Sequence, residues 1–274
     1  RHLGRTMNQS PKILLVGCGN MGQALLKGWL EQGWSRSDIQ VVEPDKDAQS
    51  IIESLGVEVS SARVEDTHAE VIVLAVKPQQ LKVVLPDYLD FAEKGHVFLS
   101  IAAGRPIAFY ESILGGQVSI VRGMPNMPAA IGQSMTVLVG NSMVDPRQHE
   151  ACETVMTAVG RVAWLEEESL MNAVTGVSGS GPAYVFLLIE SLAAAGINMG
   201  LSRELASELA LATVAGASAL AINSKIDAEE LRRQVTSPGG TTEAALAVLM
   251  DNHAFLELMK KAVRAATERG QDLA

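Results

Sequence analysis

Two cysteines in 274 residues, Cys18 and Cys152, are too few to staple a disulfide scaffold. Aromatic residues make up only 4% of the chain, so the core is expected to be aliphatic. Five histidines (His2, His68, His96, His149 and His253) are scattered, and no metal-ligand spacing joins them; no metal site is expected. The longest apolar run, Ala210 to Ile222, spans 13 residues. That falls short of the roughly 18 that would suggest a membrane span, and it reads as a buried helix. Positive charge is also scarce. Against 22 lysines and arginines stand 31 acidic residues, a formal net charge of −9. A general nucleic-acid surface or a contact with an anionic membrane is therefore not expected. The segment before Met7 has no hydrophobic stretch of the signal-peptide kind. It is expected to be an appended tail and is left out of the fold reading. Reduced thiols and no targeting signal point to a cytoplasmic protein.

Apolar residues are plentiful, at 47% of the chain, which excludes disorder. A chain of this length buries roughly 70–75% of its unfolded surface, in one large domain or two smaller ones. From Lys12 to about Leu165, short β-branched runs alternate with helical patterns. Strands are predicted at Ile13–Val16, Ile39–Glu43, Val71–Ala75, Val97–Ile101, Val118–Val121, Thr136–Val139 and Arg161–Trp164. Helices are predicted at Met21–Gln32, Lys46–Leu55, Gln79–Tyr88 and Pro146–Val159. Several strands are continuous apolar runs, as in a parallel sheet covered on both faces. The pattern is that of an α/β, doubly wound parallel sheet of the Rossmann type.

After Glu166 the strand signals stop, and an all-helical domain is expected over 166–274. Its helices are predicted at Pro182–Ala195, Arg203–Ile222, Ala228–Val235, Thr242–Leu249 and from about Ala254 to Glu268. Ser202 and Asp227 are placed as N-caps, with Glu230 positioned for a capping box. Ala212 and Gly216 would let another helix approach closely. This alanine-rich helix is too apolar for a solvated surface, which predicts an oligomer.

Gly17-Cys18-Gly19-Asn20-Met21-Gly22 follows the run ending at Val16 and opens a helical pattern. In a G-x-G-x-x-G of this kind the first glycine permits a tight turn, the second lets backbone approach a pyrophosphate, and the third packs helix on strand. The helix start offers free N–H groups to the phosphates. Glu43, 21 residues beyond Gly22, stands where a carboxylate takes the ribose hydroxyls. Residues 7–165 are thus expected to bind a dinucleotide.

Ala75-Val76-Lys77-Pro78 and Ala102-Ala103-Gly104 each follow a strand, at the edge where open sheets bind ligands. Contact with the cofactor and ordinary turn packing both fit them. Arg122 to Pro128 forms a proline-stiffened loop in which Asn126 offers a donor and an acceptor; it suits a substrate wall or a structural turn. Ser237-Pro238-Gly239-Gly240-Thr241-Thr242 precedes a helix. It reads either as a carboxylate-binding nest or as an ordinary cap by Thr241 or Thr242. Ser178 to Pro182 reads as a packing turn at a helix start. No nucleophile elbow and no acid–base constellation appears, so the chemistry is expected to rest on a cofactor.

Taken together, the glycine loop with Asn20-Met21, the Ala-Val-Lys-Pro-Gln run, the Arg-Gly-Met-Pro-Asn-Met-Pro loop and the Ser-Pro-Gly-Gly-Thr-Thr turn resemble pyrroline-5-carboxylate reductases. The likeness runs in order over nearly the whole chain after Met7. It implies reduction of 1-pyrroline-5-carboxylate to L-proline by NADH or NADPH, the last step of proline biosynthesis. It also implies a homodimer built by the helical domain, with dimers arranged into a decamer in some members. The resemblance places cofactor contacts on Val16 to Met21, Ala75 to Pro78 and Ala102 to Gly104. It places the substrate loop on Ser237 to Thr242, with the Thr242 hydroxyl beside the imine; Ser237 is expected to be catalytic with it, its hydroxyl on the carboxylate.

A protonated imine is already electrophilic, which explains the lack of a strong acid or base. The chain departs from many members in carrying Glu43-Pro44-Asp45 where they hold a 2′-phosphate. With Lys46 the only nearby cation, NADH is expected to be favoured. Two other readings are a hydroxy-acid or ketopantoate-type dehydrogenase and a non-enzymatic dinucleotide sensor. The first would need an acid such as Lys225, Lys260 or Lys261, none of which lies in a motif. The second has no use for the Ser-Pro-Gly-Gly-Thr-Thr turn.

Overall fold

The structure, a computed structural model, describes residues 10–273. The segment before Met7 lies outside the described residues. One sheet contains β1 (Ile13–Val16), β2 (Ile39–Val42), β3 (Glu58–Ser60), β4 (Val71–Leu74), β5 (Val97–Ser100), β6 (Ile120–Met124), β7 (Ser134–Gly140) and β8 (Gly160–Trp164). Their order is β3-β2-β1-β4-β5-β6-β7-β8. The first six are parallel, with Ile13 beside Ile39 and Val71. β7 runs antiparallel to β6, and β8 follows β7. The sheet is therefore parallel over six strands rather than throughout. Nine residues join β6 to β7, too few for the crossover that a parallel pair needs.

Helices α1 (Asn20–Glu31), α2 (Lys46–Ser54), α3 (Leu81–Val84), α4 (Leu89–Glu93), α5 (Ile107–Leu114) and α6 (Pro146–Thr157) accompany these strands. The helix predicted over Gln79–Tyr88 is split, because Pro86 falls in a 3₁₀ turn between α3 and α4. Sequence reading missed β3, whose three residues include one apolar side chain, and α5, which Pro106 precedes and Gly115 ends. The predicted box at Glu230 is also replaced. Asp227 does cap its helix, but the Glu230 carboxylate turns to Arg233. The full capping box stands at Asp145 and Gln148, at the start of α6.

Alternation along each buried strand sends side chains to two separate clusters. Ile13 and Leu15 pack with Leu25, Trp29, Val73 and Val155 on one face. Leu14 and Val16 pack with Ile72, Phe98, Tyr88 and Tyr110 on the other. Five of the largest fully buried side chains are aromatic, so the core is not purely aliphatic. Few as they are, the aromatic rings sit where the layers need volume, and Trp29 Nε1 finds the Val155 carbonyl at 2.9 Å.

After β8 the chain continues with α7 (Met171–Val174), a π-helical turn over Thr175–Gly179, α8 (Gly181–Asn198), α9 (Arg203–Asn223), α10 (Ala228–Gln234), α11 (Thr241–Met250) and α12 (Ala254–Asp272). The chain divides into two compact units. One holds residues up to Gly179 and those from Ala266 on; the other is Ser180–Ala265. The strand pattern thus stops at Trp164, some way before the division.

Within the second unit α8 packs on α9, where Gly196 meets Ala206 and Leu201. Ser202 caps α9 as predicted, accepting from the Leu205 amide at 3.3 Å. Only Ala206 and Ala210 of α9 are buried, and Leu209, Leu211, Leu220 and Ile222 are all exposed. No atom stands near the open side of Gly216. By length and composition, Glu168–Asn198 and Arg203–Asn223 could each cross a membrane. Charged residues Arg203, Glu204 and Glu208 interrupt the second, and polar residues such as Asn172, Ser178 and Ser180 break the apolar run of the first.

Candidate active site

A cleft of about 690 Å³ opens at the carboxyl ends of the strands on the β3 side of the sheet. Its floor is the glycine loop. Gly17 has φ +85°, and a Cβ there would meet Val76 Cγ1 at 2.7 Å and Ala75 backbone at 3.0 Å. At Gly22 a Cβ would stand 2.8 Å from the Gly17 carbonyl, so α1 packs close to the loop that feeds it. Gly19 is different: its missing side chain faces open space within the cleft wall. That is the cradle expected for a pyrophosphate. No side chain caps α1, whose first amides have no partner within the helix.

Glu43 is 8% exposed and turns inward. Its Oε2 accepts from the Cys18 amide at 2.6 Å and its Oε1 from the Asp45 amide at 2.9 Å. The Glu43 amide in turn donates to the Ser60 carbonyl at 2.9 Å. This one residue ties the ends of β1, β2 and β3 together. The Cys18 amide is thus spent on Glu43, while its thiol is buried in the core. Burial first, and the Glu43 carboxylate second, push that thiol up to about 12.

Val16, Gly17, Cys18, Gly19, Glu43, Ala75, Val76 and Lys77 therefore meet at one cleft. Asn20, Met21 and Gly22 lie in α1, outside its lining, and Pro78 follows Lys77 in a turn. Ala102, Ala103 and Gly104 follow β5, farther along the same sheet edge, with Leu273 packed 3.4 Å from the Cβ position of Gly104. That loop is held from below. The Ser100 hydroxyl accepts from the Ala102 amide at 3.3 Å and lies 2.5 Å from the Tyr110 hydroxyl. Beside it, buried Arg122 is a strut rather than a ligand contact, donating to Glu168 Oε1 at 2.8 Å.

The cleft also exposes what sequence reading missed. Lys46 is not among its lining residues; the cations there are Lys77 and Arg63. Arg63 follows the short β3, which left no apolar signal to mark its place on the ligand edge.

Asn126 spends its side chain on the chain itself. Its amide nitrogen donates to the Ser178 carbonyl and hydroxyl, at 3.2 and 3.3 Å. Its oxygen accepts from the Met135 amide at 3.0 Å and the Ser134 hydroxyl at 3.2 Å. Ser178 and Gly179 do serve packing, since a Cβ on Gly179 would collide with Met124.

In the second unit, the Ser237–Thr242 turn is not a threonine cap. Gly240 takes the cap position of α11, and no side chain bonds there. Gly239 has φ +70°, and its amide donates to the Glu243 carboxylate at 2.7 Å. The Gly240 amide closes on the Ser237 carbonyl at 3.0 Å. The turn thus presents an amide to a carboxylate, at present its own.

A curated protein of Pseudomonas aeruginosa named pyrroline-5-carboxylate reductase is 40% identical over 267 residues, covering 97% of each chain. The chain belongs to the pyrroline-5-carboxylate reductase family. Family models agree region by region. Residues 168–273 match pyrroline-5-carboxylate reductase dimerisation, and residues 12–104 match NADP oxidoreductase coenzyme F420-dependent. Among solved structures, a pyrroline-5-carboxylate reductase of Coxiella burnetii superposes with a TM-score of 0.93 at 36% identity, covering 97% of this chain and 99% of that one. The pyrroline carboxylate reductase of Plasmodium falciparum, solved with NADP bound, gives 0.83 at 30% identity over 97% and 98%. In this reductase family the sheet with its reversed outer pair and the helices after it are a shared architecture.

Proposed function

We infer that the chain works as its family does. It is an NAD(P)H-dependent oxidoreductase that reduces 1-pyrroline-5-carboxylate to L-proline, the last step of proline biosynthesis. The observation that carries this is the open cradle at Gly19, walled by Gly17, Val76 and Lys77, in a chain 40% identical to a curated reductase. The cradle fits a dinucleotide: a Cβ at Gly19 would fill room that a pyrophosphate needs. Gly19 and the first amides of α1 would hold the phosphates, with Lys77 as counter-charge. Glu43 would accept from the ribose hydroxyls through lone pairs left by its two amide bonds. The loop Ala102–Gly104 would meet the nicotinamide end. When bound, the reduced nicotinamide supplies the hydride.

The chain's own residues position the imine. The amides and hydroxyls of Ser237, Gly239, Gly240, Thr241 and Thr242 grip its carboxylate once Glu243 swings away. The Thr242 hydroxyl stands beside the ring nitrogen, and Ser237 anchors the far side. Asn126 acts indirectly, by fixing its loop. Residues 7–165 bind the cofactor and 166–274 build a homodimer, cytoplasmic and soluble, with a decamer as a higher assembly. The exposed leucines of α9 give the helical region its reason to pair with a second copy rather than with lipid.

Oxidation of NADH or NADPH, followed at 340 nm with pyrroline-5-carboxylate, ketopantoate and keto acids in parallel, tests the reaction. Turnover confined to the pyrroline supports it; turnover confined to a keto acid overturns it. Glu43 and Asp45 present like charge to a 2′-phosphate, so kcat/KM is expected to favour NADH, and Glu43→Ser to narrow that preference.

A further inference from the structure

Resting on the dinucleotide reading of the cleft, we propose that Arg63 forms a second, opposing selectivity element. It receives a phosphate on the adenosine 2′-oxygen and so lets the chain accept NADPH despite Glu43. The order of strands carries the inference. Across the ligand edge come β3, β2, β1 and β4 in turn. The glycine loop follows β1 and Glu43 follows β2, so the adenosine end of a dinucleotide lies toward β3. Arg63 follows β3, three residues beyond Ser60, whose carbonyl bonds the Glu43 amide. The other cation of the cleft, Lys77, follows β4 on the far side of β1. Arg63 alone among the lining cations therefore stands beside Glu43, where a 2′-phosphate would be.

The guanidinium is held for such a task. It pairs with Asp90 through Nη2 and lies over the Phe91 ring, 4.6 Å from its centroid. Phe91 is fully buried, so the ring is packed in the core beneath the guanidinium. The side chain keeps 27% of its surface open. Its Nε is buried without a hydrogen-bond partner, so the exposed remainder of the side chain is what an incoming acceptor would meet. Arginine also matches phosphate geometry through its fork of donors. Asp90 removes only part of that capacity. Glu43 and Arg63 then pull in opposite directions, one toward a free ribose hydroxyl and one toward its phosphate ester. The ratio of affinities for the two coenzymes reports their balance.

Equilibrium binding of fragments separates this proposal from the reading beneath it. Calorimetry on the full chain would compare 5′-AMP with adenosine 2′,5′-bisphosphate, and NAD⁺ with NADP⁺. In Arg63→Gln the 2′-phosphorylated ligand of each pair is expected to lose at least tenfold in affinity, and its partner less than threefold. Arg63→Lys should keep most of the wild-type difference. Equal losses for both members of a pair would assign Arg63 to the shared adenosine and overturn the proposal, as would no loss at all.

Should Arg63→Gln fail to fold, the wild-type chain decides. Affinity for NADP⁺ must fall more steeply with salt than affinity for NAD⁺, because it includes one more charged contact. Equal salt slopes overturn the proposal. If wild-type chain binds neither dinucleotide, the reading of the cleft fails and the proposal with it.

Discussion

The two compact units treat their apolar residues in opposite ways. In the first, each of the four residues of β1, β4 and β5 is buried, and helices from the same chain cover both faces. In the second, α8, α10 and α11 contain no buried residue, and leucines along α9 stay exposed. Composition does not distinguish these states. What differs is whether the same chain supplies a surface that buries them. At roughly 25 cal/mol per Å² of apolar surface, an exposed face of this extent is a strong incentive to associate.

The sharpest way to break that comparison is to charge one apolar residue in each unit. Leu211 in α9 is 57% exposed and Val83 in α3 is 77% exposed. Leu211→Glu is expected to abolish assembly, halving the sedimenting mass or precipitating the chain, while Val83→Glu leaves the mass unchanged. Equal behaviour of the two would show that the α9 face has no partner.

Next in size is the glycine loop. Gly17→Ala must place a side chain at φ +85° and push Val76 aside. A stability loss of about 1–3 kcal/mol is expected, with NADH binding weakened beyond a hundredfold. Titration of the coenzyme's fluorescence measures the second effect, and denaturant unfolding the first.

The turn in the second unit is expected to behave differently, as a substrate-binding loop. Thr242→Ala is expected to lower kcat by about tenfold or more with NADH affinity unchanged, and Ser237→Ala mainly to raise KM for the pyrroline. Glu243→Gln weakens the internal occupant of the Gly239 amide and should lower that KM by a few-fold. Steady-state kinetics on the three variants separate these outcomes. Unchanged constants in all three would make the turn a helix start and nothing more.

The smallest effect is on alkaline stability of the first unit. Burial pushes Cys18 up to about 12 from 9.0, and Tyr88 and Tyr110 up to about 12 from 10.0. The unfolded chain releases these protons first. Their contribution is whole below pH 9 and declines as pH rises toward 12, so denaturation midpoints should fall over that window. Iodoacetamide at pH 8 should label neither cysteine until the chain unfolds, as both are buried.

What was legible in the sequence follows the same division. Gly17, Gly19 and Gly22 were legible because each answers to a backbone requirement that local order imposes. Glu43 was legible by its distance from them, but not its bond to the Cys18 amide, which depends on how two strands sit side by side. Asn126 offered the right donor and acceptor for a substrate, and the fold used both on itself. Arg63 left no trace, because β3 is too short and too polar to show a period. In the helical unit the caps at Ser202 and Asp227 were readable from neighbouring residues alone. The positions of its exposed leucines were not, since a helix buried by a second copy has the same pattern as one buried at home.

Glu43 has a consequence for how the coenzyme preference could change over generations. The carboxylate proposed to meet the ribose latches the Cys18 amide and closes β2 onto the glycine loop. A substitution that frees the site for a phosphate leaves a buried N–H without its acceptor, at a cost of about 1–3 kcal/mol. Drift toward NADPH by losing Glu43 therefore first passes through a loosened loop, whereas drift toward NADH by losing the proposed Arg63 contact does not disturb that latch. The accessible path runs through the side chain that props up nothing in the glycine loop.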